Sequence, residues 1–176
     1  MNAYELLDKA LLEQIKESLN NKRSVDNLPT GGEGWHYIIL CNKPVPKGAD
    51  AKGEMILDDL YVWYNGTSAK SVKSRISQHL FRNESKRRKH GISNGIRVTS
   101  VKGSLIENHP NVSQNFKKDL DVEGNYYELG IDIREEKWAD YEFSVICEEF
   151  RHYNGVAEQL FRQHYGQPPL CTSKGR

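Results

Sequence analysis

The chain has 176 residues, of which 37% are hydrophobic and 28% are charged, and its formal net charge is +1. This length is typical of one domain, and no apolar stretch approaches the roughly 20 residues of a membrane-spanning helix. The acidic residues near the N-terminus are unlike a signal peptide, and three widely spaced cysteines without a CxxC motif are unlike a disulfide framework or a zinc site. The sequence therefore predicts a cytoplasmic protein that does not interact with membranes.

The first predicted element is an amphipathic helix at residues 3–19, where apolar residues recur every three or four positions. Residues 20–33 contain Asn-Asn, a proline and Gly-Gly, a composition that predicts a linker or loop. We therefore expect an N-terminal helix and linker at residues 1–30, followed by the main domain at residues 31–176. The helix either serves as a dimerisation element or packs on the protein's own core.

Two strands and a helix are predicted next. The strands are Trp35–Cys41 and Met55–Tyr64, which are rich in β-branched and aromatic residues, and together they predict an antiparallel hairpin with an elaborated turn. Asn65–Ser68 is predicted to be a turn that leads into a helix at residues 69–81.

The distribution of charge changes sharply after this turn. Between Lys70 and Lys102 ten lysines and arginines accompany one acid, a net charge of +9, whereas Glu107–Glu158 has thirteen acids and five bases, a net charge of −8. A concentrated basic block indicates a binding surface for a polyanion, or else a solvated loop. Charge alone does not distinguish these alternatives.

The remaining elements complete an α+β domain. We expect an exposed loop at 82–94, a short helix at Asn111–Leu120, strands at Tyr126–Ile133 and Tyr141–Cys147, and a last helix at Gly155–Tyr165. The predicted fold is a small antiparallel β-sheet flanked by helices.

Several side chains on these elements suit phosphodiester hydrolysis. Arg75 and His79 are four residues apart, so they project from the same helix face. An arginine fork can hold two phosphate oxygens, and a lone carboxylate such as Glu158 suits Mg²⁺. Tyrosine or histidine can orient or deprotonate the attacking water.

The order and spacing of these residues resemble the GIY-YIG nuclease superfamily, in particular its type II restriction endonuclease branch. The two signature tripeptides look like Trp35-His36-Tyr37 and Tyr64-Asn65-Gly66. Arg75 follows Tyr64 by eleven residues, as the helix arginine of the family does at about ten, and Glu158 matches the metal-binding glutamate of a C-terminal helix.

The chain departs from the family pattern at three places. His36 and Asn65 each stand where the family has isoleucine. The asparagine that many members carry after the glutamate has no clear counterpart, and Cys171 and Thr172 occupy that region.

The resemblance implies a three-stranded antiparallel core sheet and a role for each site residue. Tyr37 would activate the water, with support from Tyr64, and His79 would assist proton transfer or contact phosphate. Arg75 would hold the scissile phosphate, and Glu158 would bind one Mg²⁺ or Mn²⁺ ion per active site.

The resemblance also implies an insertion at about 82–140 that reads the target sequence and overlaps the basic block. Asn94 and Arg97 are the candidate base readers, and the other candidate DNA contacts are Lys73, Arg82, Lys86, Arg87, Arg88 and Lys89. The expected protein is a homodimeric, metal-dependent endonuclease that cuts double-stranded DNA at a specific sequence. The alternatives are a non-catalytic nucleic-acid binding module and a structure-specific or RNA-directed nuclease on the same fold.

Overall fold

The computed structural model describes residues 2–45, 54–81, 96–98, 127–129 and 131–171. Within these ranges there are three α-helices: α1 (Ala3–Ser18), α2 (Val72–Leu80) and α3 (Asn154–Tyr165). The strands of the same ranges are β1 (Lys22–Ser24), β2 (Trp35–Cys41), β3 (Ile56–Leu57), β4 (Leu60–Ser68), β5 (Ile96–Val98), β6 (Tyr127–Leu129) and β7 (Phe143–Glu149).

Five of the strands form one sheet in the order β1-β7-β2-β4-β3, and every neighbouring pair is antiparallel. Strands β5 and β6 pair with each other as a separate antiparallel ribbon. The predicted α+β class, with an antiparallel sheet flanked by helices, is confirmed.

Helices cover both faces of the main sheet. Side chains alternate between the two faces of a strand, so Tyr37 and Ile39 of β2 point to one face, whereas Ile38 and Leu40 point to the other. The first face packs against α2 through Ile76 and its neighbours, and the second packs against α1 and α3. The sheet therefore separates two hydrophobic cores.

The second predicted strand is wrong in its bounds. The chain forms the short strand β3, turns at Asp58 and Asp59 with φ of 49° and 63°, and returns as β4. Two left-handed residues between paired strands are typical of a tight hairpin turn, and aspartate tolerates that conformation better than most residues. The predicted strand at Met55–Tyr64 is thus two paired strands joined by a tight turn.

The turn predicted at Asn65–Ser68 is also wrong, because these residues are the second half of β4. They pair with the first residues of β2, with Asn65 opposite Ile38 and Gly66 opposite Tyr37. Asparagine and glycine favour turns by local propensity, but here both are fully enclosed by tertiary contacts that only an extended strand allows.

A bulge interrupts the pairing of β4 with β2. Ile39 pairs with Tyr64 and Leu40 pairs with Val62, so Trp63 is an extra residue in β4. As a result, Trp63 and Tyr64 both pack in the core that faces α2.

Helix α2 begins three residues later than predicted, because Ser71 caps it. The Ser71 side chain accepts a hydrogen bond from the backbone N–H of Ser74 at 3.1 Å. Two further bounds differ from the prediction: β7 starts at Phe143, and in the stretch predicted as Tyr126–Ile133 the structure assigns Tyr127–Leu129 to a strand and Ile133 to a turn.

The N-terminal region is part of the main fold. Leu11, Ile15 and Leu19 are buried in the core that α1 shares with α3. Lys22–Ser24, which lies in the predicted loop, instead forms β1 and pairs with β7. Helix α1 thus packs on the protein's own core, the second of the two alternatives above.

The predicted insertion at about 82–140 is described only in part. The helix predicted at Asn111–Leu120 and the loop predicted at 82–94 lie outside the described residues. Residues 131–140, at the end of the predicted insertion, belong to the core, since Ile131 is fully buried and Trp138 contacts Trp63. Across the described ranges, none of the helices has the length and apolarity needed to cross a membrane.

Candidate active site

Three aromatic rings meet between the sheet and α2. Tyr37 of β2, Tyr64 of β4 and His79 of α2 have ring centroids 4.9–6.2 Å apart. The Tyr37 hydroxyl oxygen lies 2.8 Å from Nε2 of His79, within hydrogen-bond distance. Tyr37 has no exposed surface, His79 is buried, and Tyr64 is partly exposed. Tyr64 thus forms the solvent side of this group.

Arg75 contacts the same group from α2. Its guanidinium hydrogen-bonds the Tyr37 hydroxyl and also donates from Nη1 to Oε1 of Gln78 at 2.8 Å. A guanidinium can only donate, so the Tyr37 oxygen accepts from Arg75, and the hydroxyl proton is then available for His79. This arrangement makes Tyr37 the centre of a donor–acceptor chain that runs from Arg75 to His79.

Gly66 makes room for the Tyr37 ring. A Cβ atom added at Gly66 would lie 2.6 Å from the Tyr37 hydroxyl oxygen and 2.9 Å from a ring carbon of Tyr64. Both distances are too short for unbonded atoms, so a side chain at this position would displace one of the tyrosines. The glycine of the second tripeptide is therefore needed for close approach rather than for a turn.

Both tyrosines are held in their neutral form. Burial raises the pKa of Tyr37 well above its usual range, and the Tyr64 ring adds to this, whereas the Arg75 charge opposes it. Burial likewise raises the pKa of Tyr64 to about 12. The negative charge of Glu158 raises the pKa of both groups, which places this carboxylate in the same electrostatic environment.

Glu158 reaches the site from α3, on the other side of β4. Its side chain is 8% exposed, and its Oε1 lies 3.9 Å from Nη2 of Arg162, one helical turn further on. Four of the predicted catalytic residues thus lie together between the sheet and α2, and Glu158 acts on the two tyrosines electrostatically from α3, on the opposite face of the sheet.

A buried polar network, which the sequence did not predict, lies beside Glu158. Arg162 donates from Nε to Oδ1 of Asn65 at 2.9 Å and from Nη2 to the Asn65 carbonyl oxygen at 3.3 Å. The Asn65 amide nitrogen contacts Nε2 of His36 at 3.1 Å and donates to the Glu158 carbonyl oxygen at 3.3 Å. The sequence offered two signals for this network: the i, i+4 spacing of Glu158 and Arg162, and two polar residues at positions where the resemblance implied isoleucine.

The network fixes the protonation of His36. The bond from Arg162 orients the Asn65 amide so that its nitrogen donates, and His36 must therefore accept at Nε2 as a neutral ring. Burial lowers the pKa of His36 to about 3, and the Arg162 charge acts in the same direction. His36 is thus a neutral structural acceptor at physiological pH.

The C-terminal segment covers the outer edge of β4. The N–H of Leu170 donates to the Trp63 carbonyl oxygen at 3.1 Å, and Sγ of Cys171 lies 3.3 Å from Oδ1 of Asn65. Burial raises the pKa of Cys171 to about 11, so the residue remains a thiol. Cys171 therefore joins the polar network next to Asn65 as a neutral group.

The candidate DNA contacts are only partly described. Lys73 is exposed on α2 and borders a cavity of about 340 Å³, together with Val25, Phe81 and Arg134. None of the five candidate catalytic residues lines this cavity. Arg97 lies on β5, and the remaining predicted contacts lie outside the described residues: Arg82, Lys86, Arg87, Arg88, Lys89 and Asn94.

Glu158 is the residue that could hold a divalent cation. The described ranges contain no group of three or more His, Cys, Asp or Glu side chains arranged as a metal site. Mg²⁺ does not need such a group, because it commonly binds through one or two carboxylates and takes its other ligands from phosphate and water. A single carboxylate such as that of Glu158 is sufficient for that mode of binding.

No protein-family model, curated protein or solved structure matches this chain. A function must therefore be inferred from the chemistry of the site.

Proposed function

We propose that the protein is a metal-dependent endonuclease of the GIY-YIG type that hydrolyses phosphodiester bonds in double-stranded DNA. The observation that carries this proposal is the convergence of Tyr37, Tyr64, Arg75, His79 and Glu158 around one strand. Each of these side chains has a plausible part in phosphoryl transfer, and they come from four separate elements of the chain.

Arg75 and Tyr64 form the side of the site where DNA would approach, because both are partly exposed. The guanidinium of Arg75 would hold the scissile phosphate and stabilise the charge that develops on it. Tyr64 would donate a hydrogen bond from its hydroxyl, which is neutral because its pKa lies at about 12.

Tyr37 and His79 would move the proton. The attacking water gives a proton to the Tyr37 oxygen while the hydroxyl proton of Tyr37 passes to Nε2 of His79, 2.8 Å away. The hydroxide forms a bond to phosphorus, and the bond to the leaving oxygen breaks. Because Tyr37 has no exposed surface, this proposal requires the site to open when DNA binds.

Glu158 would hold the Mg²⁺ or Mn²⁺ ion. Such a cation, when bound, supplies charge that stabilises the transition state and lowers the pKa of a nearby water. The role of Glu158 itself is to present a carboxylate oxygen next to Tyr64 and Arg75. Sequence-specific cleavage of both strands by a homodimer, as in type II restriction enzymes, is the finer form of the proposal.

The test is incubation of the purified protein with plasmid DNA in the presence of Mg²⁺ or EDTA. Discrete fragments that require Mg²⁺ are expected of a restriction enzyme, and nicking or smearing would indicate a less specific nuclease. A protein that binds DNA but does not cut it with any divalent cation would be a non-catalytic binding module, and a preference for RNA would indicate an RNA-directed enzyme.

The variant Glu158→Gln sharpens this test. It should lose detectable cleavage and keep its affinity for DNA, because the amide retains the shape of the side chain but cannot hold the cation. The matched control is Glu17→Gln on the exposed side of α1, which should cut normally. Cleavage by Glu158→Gln at the wild-type rate would contradict the metal assignment.

A further inference from the structure

The side chain of Arg162 connects the helix that carries Glu158 to the strand that carries Tyr64. One guanidinium contacts the side chain and the backbone of Asn65 and also lies 3.9 Å from the Glu158 carboxylate. The two bonds to Asn65 are of ordinary hydrogen-bond length, whereas the contact with Glu158 is an ion pair without a short bond.

The position of Asn65 explains why this link affects the candidate site. Asn65 is the middle residue of the tripeptide, so its backbone lies between Tyr64 and the glycine that packs under Tyr37. Its side chain also donates to the Glu158 carbonyl oxygen at 3.3 Å. Asn65 and Arg162 therefore bind β4 to α3 at the level of the carboxylate.

The link is buried and charged. The Arg162 side chain is 9% exposed and Glu158 8%, and Asn65 has no exposed surface. Burying a cation is costly unless it is paired and hydrogen-bonded, and a buried pair is weak evidence for a role in stability alone. Positioning of a functional carboxylate accounts for the cost.

We propose, on the basis of the function proposed above, that Arg162 is a positioning residue that fixes the Glu158 carboxylate relative to Tyr64 and Arg75. Arg162 acts through Asn65 and does not itself contact DNA. Lysine cannot replace it, because a single ammonium group cannot reach two acceptors of Asn65 and the carboxylate in one geometry.

The test is the variant Arg162→Lys, with Arg151→Lys as the matched control at an exposed position. For Arg162→Lys we expect kcat to fall about 10–100-fold while KM for DNA is unchanged, in line with residues that orient metal ligands. Mn²⁺ affinity, measured by calorimetry without DNA, should fall over a similar range. Arg151→Lys should match the wild type in each measurement.

A purely structural role predicts a different result. A variant that melts at lower temperature, but shows wild-type kcat and Mn²⁺ affinity below its melting point, would overturn the proposal. If Arg162→Lys does not fold, the variant Asn65→Ala replaces it in the test. This change removes Oδ1, one of the two acceptors that Arg162 contacts, and keeps the backbone carbonyl oxygen. It should change kcat and Mn²⁺ affinity in the same direction by a smaller factor, and wild-type values would overturn the proposal.

The wild-type protein separates the two proposals. If it cuts DNA and binds Mn²⁺ while both variants match it, only the role of Arg162 is wrong. If the wild type neither cuts nor binds Mn²⁺, the proposed function is wrong and the role of Arg162 with it.

Discussion

The two sides of β4 hold their polar groups in different ways. Toward α2, Tyr64 contacts the rings of Tyr37 and His79, and the Tyr37 hydroxyl oxygen lies 2.8 Å from Nε2 of His79. Toward α3, the Asn65 side chain is hydrogen-bonded to Arg162 and contacts His36. The first side suits proton transfer and phosphate contact, and the second suits the rigid support of a carboxylate.

His36 and Asn65 form one part of the polar network on the α3 side. His36 and Asn65 lie on the same face of neighbouring strands, diagonally opposite each other, and their side chains meet at 3.1 Å. With an apolar residue at position 65, His36 would lose this hydrogen bond at a cost of about 1–3 kcal/mol, whereas Asn65 also has hydrogen bonds to Arg162 and Glu158. His36 therefore depends on Asn65 for this hydrogen bond, and Asn65 also donates to the carbonyl oxygen of Glu158.

After Glu158→Gln, the largest effect is expected from Arg75→Lys, on the α2 side. Lysine keeps the positive charge but cannot contact the Tyr37 hydroxyl and a phosphate with the same planar fork, so kcat should fall about 100-fold. The measurement is single-turnover cleavage at saturating Mg²⁺. If the variant cuts as fast as the wild type, Arg75 is not part of the active site, and the α2 side has lost its proposed phosphate-binding cation.

A smaller effect is expected from Gly66→Ala, which pushes a methyl group into Tyr37. The added Cβ atom would lie 2.6 Å from the tyrosine oxygen, so the free energy of unfolding should fall by about 1–3 kcal/mol. Gly155→Ala is the matched control, because a Cβ atom there meets nothing within 4 Å and alanine favours the helix. Urea unfolding of the two variants gives the comparison, and equal stabilities would show that Tyr37 does not need this close approach.

On the α3 side, His36 should make the stability of the protein depend on pH. Burial lowers the pKa of His36 from its ordinary value of 6.5 to about 3 in the folded protein, so the unfolded chain takes up a proton at the higher pH. The stability contributed by neutral His36 is present above pH 6.5 and is lost as the pH falls toward 3. Between pH 7 and pH 5.5 the loss should be about 1 kcal/mol.

The variant His36→Gln tests this pH dependence. Glutamine can accept the hydrogen bond from Asn65 through its side-chain oxygen but does not titrate. The loss of stability that His36 causes between pH 7 and pH 5.5 should therefore disappear. Urea unfolding at the two pH values measures the change. An unaltered pH dependence would show that His36 is already protonated or exposed in the folded protein.

The sequence predicted the α2 side better than the α3 side, for a physical reason. The strand at Trp35–Cys41 and the placement of Arg75 and His79 on one helix follow from local periodicity and from i, i+4 spacing, which depend only on neighbouring residues. The strand β4 was missed in its second half because Asn65 and Gly66 have strong turn propensities. Their extended conformation depends on contacts with Arg162 and Tyr37, which are remote in sequence.

The short strands were difficult for the same reason. Lys22–Ser24 forms β1 only because it pairs with β7, more than one hundred residues later. The five candidate catalytic residues were all named from the sequence, but Arg162 was not, nor was the order of burial, since Tyr37 is fully enclosed and Tyr64 is the accessible tyrosine. Periodicity shows on which face of an element a residue lies, but it does not show which side chains cover that residue from solvent.

The smallest effect is expected from Lys73→Ala, which tests whether DNA approaches from the α2 side. Lys73 is exposed on α2, and Lys9 is exposed on α1, on the opposite side of the sheet, so Lys9→Ala is the matched control. Loss of one phosphate contact should weaken DNA binding several-fold and reduce the slope of log K against log salt by about 0.9. Fluorescence anisotropy with a short duplex in EDTA between low and moderate salt measures that slope. If Lys9→Ala lowers the slope and Lys73→Ala does not, DNA approaches the α1 side, and Tyr64 and Arg75 face away from the substrate.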